Sequence, residues 1–270
     1  TPYYYYPVLV HLDESELEEY VELSRRISKM IASSGKSSDE LPSSAKMLLI
    51  KRARIVAGAS EKVPKLREVI APYRDKNHML VYCGSTTMAD PGYMENSPEE
   101  SEVRQIDVVS SMLGNELGMK VSQFTSRENA EKREILKKEF AEGKQMQALV
   151  AIRCLDEGVN IPSIETAFIL ASSTNPKEYV QRRGRVLRKF PGKKRAVIYD
   201  FVTLPIPLDD VAGYPEDIVR SSKSLAAREI VRMKDFAQIS ENPADSMAQI
   251  TAIVEAFDIT PEYETDESYV

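Results

Sequence analysis

The sequence predicts an α/β fold in three layers, with a mostly parallel sheet covered by helices on both sides. Five short apolar runs, 78–83, 119–124, 146–152, 165–171 and 195–201, are mostly continuous rather than alternating, which is the pattern of strands buried on both faces. Helical patterns at about 100–117, 126–142 and 176–189 separate them. Alternation of strand and helix means parallel strands joined by crossover helices. A chain of 270 residues with 42% hydrophobic content can bury one substantial core and carry an added helical region.

Taken in order, 13–32 and 43–58 read as two helices, joined by the polar stretch Ser33-Ser34-Gly35-Lys36-Ser37-Ser38, which reads as a flexible linker. The first strand ends at Cys83 and opens a loop, 84–98, rich in Gly, Pro, Ser and Asp; a loop of that length points to a binding role or disorder. The helix at 126–142 has Ser126 as its cap and Gly143 as its stop, with Ala130, Ile135, Leu136 and Phe140 expected on its buried side. Thr125 and Ser126 then lie at the carboxyl end of a strand, where open parallel sheets bind ligands and backbone N–H groups favour phosphate. Strand signals stop after 202, and 215–257 reads as helical. The expected division is 1–72 connector and helices, 73–208 sheet domain, 209–260 helical appendage and 261–270 acidic tail.

Net charge of -6 argues against a nucleic-acid footprint over the whole surface, but the charge is uneven. Lys177 to Arg195 holds nine Lys or Arg against the single acid Glu178, a local excess of +8. Cys83 and Cys154 sit in apolar strand-like runs and read as reduced core residues, which suggests a cytoplasmic protein. With His11 and His78 they are too scattered for a zinc site, so no metal site is expected. No run is long and apolar enough to span a bilayer, and the opening Thr1-Pro2-Tyr3-Tyr4-Tyr5-Tyr6-Pro7, with no initiator, suggests a piece of a longer protein.

The most informative chemistry lies in Gln181-Arg182-Arg183-Gly184-Arg185-Val186-Leu187-Arg188. At about 100° per residue, Gln181, Arg185 and Arg188 fall within roughly 60° of one another. One face thus presents an amide and two guanidiniums, whose planar forks match phosphate oxygens. Tyr179, Val180, Val186 and Leu187 lie opposite and are expected to be buried. Arg183 falls in the middle of that apolar face, so it either pairs with a carboxylate or lies along the surface with its head in water. Lys193, Lys194 and Arg195 read as solvated residues of a turn.

Two imitations are set aside. Gly35-Lys36-Ser37 lacks the glycine that a phosphate loop needs at position 30, which is Met30, and follows a helix instead of a strand. Leu155-Asp156-Glu157 mimics a magnesium-binding pair without a nucleotide cradle beside it.

The spacing Q-x-x-G-R-x-x-R over 181–188 resembles motif VI of the superfamily 2 helicases and translocases. Ala151-Ile152-Arg153-Cys154-Leu155-Asp156-Glu157-Gly158-Val159-Asn160-Ile161-Pro162 is similar to motif V of the same superfamily, in the expected order and about twenty residues earlier. Leu80-Val81-Tyr82-Cys83-Gly84-Ser85 looks like motif IV, and Gln123-Phe124-Thr125-Ser126 like the segment that contacts nucleic-acid backbone. The resemblance covers about 75–205 and implies the second, C-terminal RecA-like domain, closest to the bacterial DNA restriction and repair and Swi/Snf-like branch. Residues 2–32 are similar to the connector between the two motor domains of that branch.

The resemblance implies roles. Arg185 and Arg188 become arginine fingers on the ATP γ-phosphate. Gln181, Glu157, Gly158 and Asn160 line the nucleotide side, and Gly84, Ser85, Thr86, Thr125, Ser126 and Arg153 the nucleic-acid side. Asn160 stands where the family usually has Asp, and Arg153 where it often has Thr or Ser. ATP is the implied cofactor, with magnesium held mainly by a first RecA-like domain that this chain lacks. The implied partners are that domain and DNA in preference to RNA, contacted without sequence preference, and no membrane. The competing reading is a non-enzymatic RecA-like module that binds nucleic acid or regulates; a self-contained enzyme finds no nucleophile, acid–base pair or metal cluster here.

Overall fold

The computed structural model describes residues 1–34, 42–84, 87–89, 102–125, 128–152, 160–171 and 175–260. Strands β1 (Tyr3–His11), β2 (Met79–Cys83), β5 (Val121–Phe124), β6 (Ala148–Ile152), β7 (Thr166–Ile169) and β8 (Ala196–Leu204) form one sheet in the order β1-β8-β7-β2-β6-β5. Every neighbouring pair is parallel. The continuous apolar runs are the inner strands: β2 and β7 are buried at every position and β6 at all but its last.

Helices cover both faces. On one, α3 (Lys62–Ile70) and α4 (Gln105–Ser111) bury Leu66, Ile70, Ile106 and Val109 against Val81, Val150 and Phe168. On the other, α5 (Ala130–Glu142), α6 (Pro176–Val186), α7 (Glu216–Ala237) and α8 (Pro243–Phe257) pack on Leu80, Leu149, Ala167 and Ile198. Helices α1 (Glu14–Ser34) and α2 (Ser43–Ala57) pair with each other, through Lys51–Glu19 and through Arg52, whose Nη1 donates to Ser24 Oγ at 3.2 Å.

Strand β1 differs from the sequence expectation, which put 2–32 in a connector. Its nine residues pair in register with β8, from Tyr3 opposite Ala196 to His11 opposite Leu204. Tyr3 and Tyr5 enter one core and Val8 and Val10 the other. The proline that discourages a strand reading, Pro7, is accommodated because β1 is an edge strand paired on one side only. Residues 100–117 likewise are not one helix: β4 (Glu102–Arg104) pairs antiparallel with β3 (Thr87–Ala89), then α4 runs on into a wider turn at Met112–Glu116.

At α5 the cap is Asn129 and not Ser126, which lies outside the described residues; Asn129 Oδ1 accepts from Lys132 N at 2.8 Å. Gly143 ends the helix as expected, at φ +66°. Leu136 and Phe140, four residues apart on one face, are inside while Ala130 and Ile135 are exposed. Cys83 is a buried thiol, and Cys154 lies outside the described residues.

A buried charge cluster fastens α7 to the sheet. Arg232, 1% exposed, donates from Nε to Asp200 Oδ2 of β8 at 3.0 Å and pairs with Glu229, and Tyr5 of β1 donates its hydroxyl to Asp200 at 2.9 Å. The helical region after 209 thus shares the core of the sheet.

Candidate functional site

Helix α6 starts where its sequence says it should. Asn175 accepts from Lys177 N at 3.0 Å and Pro176 occupies the first turn, where a missing N–H costs nothing. The arginines of 182–188 then divide by face. Arg182 turns inward, donates to Ala171 O at 3.1 Å and lies over the Tyr82 ring at 4.9 Å. Arg183, whose position left two outcomes open, is paired: Nη1 reaches Asp235 Oδ2 at 2.8 Å and Asp235 O at 2.9 Å, with Phe236 beneath it. Gln181 and Arg188 are exposed and Arg185 is half-buried. Tyr179 and Val186 are buried as expected, but Val180 is 43% exposed, because it sits at the flank of the apolar stripe.

The helix ends at Val186, so Arg188 lies just beyond it. Lys193 fixes this terminus, donating from Nζ to Val186 O at 2.6 Å, Arg188 O at 3.0 Å and Pro162 O at 3.3 Å. It thereby satisfies carbonyls that a helix end leaves without partners. Burial lowers its pKa to about 8, partly offset by the charge of Glu165. Lys193 was expected to be merely solvated; its place in a basic run hid its role. With 160–162 clamped against the end of α6, Arg188 donates from Nη1 to Asn160 Oδ1.

This pair lies at the amino-terminal end of the strands. The Thr1 amino group donates to Leu187 O at 3.1 Å just before β1 begins, and Ala196 N, opening β8, bonds to Pro2 O. Gly84 and Thr125 lie at the opposite end, after β2 and β5. Gly84 is buried and gives its N–H to Gln105 Oε1 at 2.9 Å. Thr125, 8% exposed, gives both N–H and hydroxyl to Glu128 Oε2, at 2.6 and 2.9 Å, while its carbonyl accepts from Arg133 Nη2 at 3.0 Å. Of the remaining candidates, Ser85, Thr86, Ser126, Arg153, Glu157 and Gly158 lie outside the described residues.

Sequence reasoning missed Gln105 and Lys62. Gln105, fully buried, bridges Gly84 to the last turn of α2 through Ala57 O at 3.0 Å. Lys62, 2% exposed, donates to Ala57 O at 3.1 Å and to Leu170 O at 2.7 Å. A polar residue opening an apolar helix was the available sign in each case. Among the described residues no three metal-ligating side chains gather, and no helix is long and apolar enough to cross a membrane.

Residues 61–190, from the start of α3 to just past Arg188, match the family described as the helicase conserved C-terminal domain. Those residues therefore carry a helicase-type C-terminal domain. This helicase domain is 26% identical over 149 residues to the DNA 3'-5' translocase XPB2 of Sulfurisphaera tokodaii, a match spanning 55% of this chain and 28% of that protein. In fold it is similar to the Sulfolobus solfataricus SWI2/SNF2 ATPase core solved in complex with dsDNA, at TM-score 0.50 and 12% identity, covering 88% of this chain and 50% of that one. It is also similar to the C-terminal part of the Fun30 ATPase domain, at TM-score 0.47 and 13% identity, covering 95% of this chain and 98% of that one. Strands β1 and β8, which complete the helicase domain's sheet, flank the family match.

Proposed function

We propose that this chain is the second motor domain of an ATP-dependent DNA translocase or helicase. In this reading Arg185 and Arg188 stabilise charge on a γ-phosphate that a first motor domain presents. The observation that carries it is the bond from Arg188 to Asn160, which joins the end of the motif VI helix to the end of the motif V segment. Two groups that the family brings to one nucleotide thus meet in this chain, while Gly84 and Thr125 sit at the far end of the strands. Asn160 can hydrogen-bond a ribose hydroxyl as well as orient Arg188.

Gly184 supports the same reading. It costs α6 about 1 kcal/mol relative to alanine, yet a Cβ added there would meet nothing within 4 Å among the described residues. No packing among them calls for glycine, and the open space there leaves room for another body to approach the helix. The first domain would hold the phosphate loop and magnesium. This chain's residues would bind the triphosphate from the other side and offset the negative charge of the transferring group. DNA as the substrate rests on the kinship to an archaeal DNA translocase. Contacts from the carboxyl-end residues would go to phosphates and sugars and carry little sequence information.

The test is DNA-stimulated ATP turnover in a protein that contains both domains. Arg185→Ala and Arg188→Ala should each lower turnover by about 10³–10⁵ while ATP still binds. Rates equal to wild type would remove the finger assignment. The 270 residues alone should hydrolyse no ATP, and measurable DNA-stimulated turnover from them would refute the division of the site.

A further inference from the structure

Two strand exits at the carboxyl end of the sheet are held in different ways. After β2, Gly84 N donates to Gln105 Oε1 at 2.9 Å, and Gln105 is neutral and fully buried. After β5, Thr125 donates from both N and Oγ1 to one oxygen, Glu128 Oε2, at 2.6 and 2.9 Å. That acceptor is a carboxylate, on a half-buried residue that solvent reaches. A guanidinium stands beside the pair. Arg133 donates from Nη2 to Thr125 O at 3.0 Å and lies over the Phe124 ring at 5.8 Å. Its Nε is buried and has no hydrogen-bond partner among the described residues.

The carboxylate does not serve to start α5. Thr125 and Glu128 have the spacing of a capping box, in which the threonine oxygen accepts from the glutamate N–H while the carboxylate reaches back. Here the Thr125 hydroxyl donates to the carboxylate instead. The first turn of α5 is capped by Asn129, through Lys132 N at 2.8 Å. Two donors that converge on a single anionic oxygen, with a guanidinium alongside, form a coordination that a phosphate oxygen also takes. It sits at the carboxyl end of a parallel strand, where open sheets bind ligands. Thr125 is 8% exposed, so a carboxylate that leaves its donors must be replaced by another acceptor.

We infer that Glu128 is an internal competitor for a DNA phosphate: its carboxylate holds the Thr125 donors until a phosphate oxygen displaces it. The inference rests on the DNA reading above. One anionic acceptor replaces another, Glu128 turns out to solvent, and no covalent bond changes. The carboxylate lowers affinity, since a phosphate that binds must break both bonds to Glu128 and then stay near the displaced charge. Glu128 thereby sets how firmly this end of the sheet holds the backbone. A motor that releases each phosphate as it steps gains from a contact that an internal group can take back.

The test uses the whole 270-residue chain and a labelled duplex of about 30 base pairs, with affinity measured by fluorescence anisotropy between about 50 and 200 mM salt. Glu128→Ala should tighten binding at least about tenfold at the lower salt, the low end for a hydrogen bond to a charged group. The slope of log affinity against log salt should steepen by about 0.9, for one further phosphate neutralised. Glu131→Ala removes an exposed acid from the first turn of α5; it controls for net charge and should give a clearly smaller gain. Thr125→Val added to Glu128→Ala removes one of the two donors and should forfeit part of the gain. Thermal midpoints identify the variants as folded, and Glu128→Gln, which keeps an acceptor for Thr125, should show a smaller gain in the same direction if the alanine variant is destabilised. Equal affinity of wild type and Glu128→Ala, weaker binding by that variant, an equal gain from Glu131→Ala, or a gain left whole by Thr125→Val each overturn the inference and leave the DNA reading standing. If neither wild type nor variant binds duplex the inference fails too, while the DNA reading is decided separately by DNA-stimulated turnover of the two-domain protein.

Discussion

Replacing Asp200 by alanine tests whether α7 belongs to the fold of the sheet or merely hangs from it. Asp200 accepts from Arg232 at 3.0 Å and from the Tyr5 hydroxyl at 2.9 Å, so one carboxylate joins β8, β1 and α7 in a region where Arg232 and Asp200 are each 1% exposed and Tyr5 fully buried. Its loss leaves Arg232 with Glu229 and the Tyr5 hydroxyl without that acceptor. Breaking a buried pair by removing one partner costs about 3–5 kcal/mol. An unfolding entropy of about 2.1 cal/mol/K per residue gives 270 residues roughly 0.57 kcal/mol/K, so the midpoint should fall by about 5–9 °C. Calorimetry should show one transition moved down whole, because the cluster sits between the sheet and α7. A shift below about 2 °C would refute the argument that this carboxylate stabilises the fold. A second transition at unchanged temperature would show that α7 and α8 unfold on their own. Arg232→Met added to Asp200→Ala should recover part of the loss, since it removes the stranded charge.

Two further outcomes follow from single residues. Gly184→Ala should raise the thermal midpoint, by removing a helix cost of about 1 kcal/mol, and lower ATP turnover in the two-domain protein; a rise in both would remove the close-approach argument. Burial lowers the pKa of Lys62 from 10.5 to about 8, so between those values the unfolded chain binds the extra proton and stability rises with pH. Urea midpoints of wild type and Lys62→Met at about pH 7.5 and 9.5 should show wild type gaining up to about 2 kcal/mol on the variant; equal pH dependence would contradict the buried ammonium. The higher pH is kept below about 10 because Tyr3 and Tyr199, whose pKa values burial raises, act in the opposite sense above it.

The inner strands were legible because burial on both faces leaves an unbroken apolar run, and β2, β6 and β7 have that environment. Strand β1 was not, since four tyrosines and Pro7 become a strand only when β8 supplies the partner, from Ala196 to Leu204, almost two hundred residues away. The cap of α5 was misplaced because Ser126 and Asn129 are both sound caps in isolation, and the choice depends on Thr125 being tied to Glu128 and Arg133. At the candidate site the residue types and spacing were sufficient to place Gln181 and Arg188 on the exposed face. The partners of the inward arginines, Ala171 and Tyr82 for Arg182 and Asp235 for Arg183, come from elements that only the tertiary fold brings near.

That division among four arginines explains how one short helix can hold rigid geometry and still present charge. Arg182 is anchored beside Tyr82, the penultimate residue of β2, and Arg183 on α7, so rotation of α6 about its axis would break interactions in two directions. Lys193 blocks the remaining freedom, since its ammonium gathers Val186 O, Arg188 O and Pro162 O at the helix end. Arg185 and Arg188 therefore project from a terminus fixed on three sides. A guanidinium that must meet charge only as it develops gains most when no reorganisation is needed at that moment. On the proposed function, the buried arginines and Lys193 are thus positioning residues, which hold the end of α6 in place for Arg185 and Arg188 to meet a phosphate.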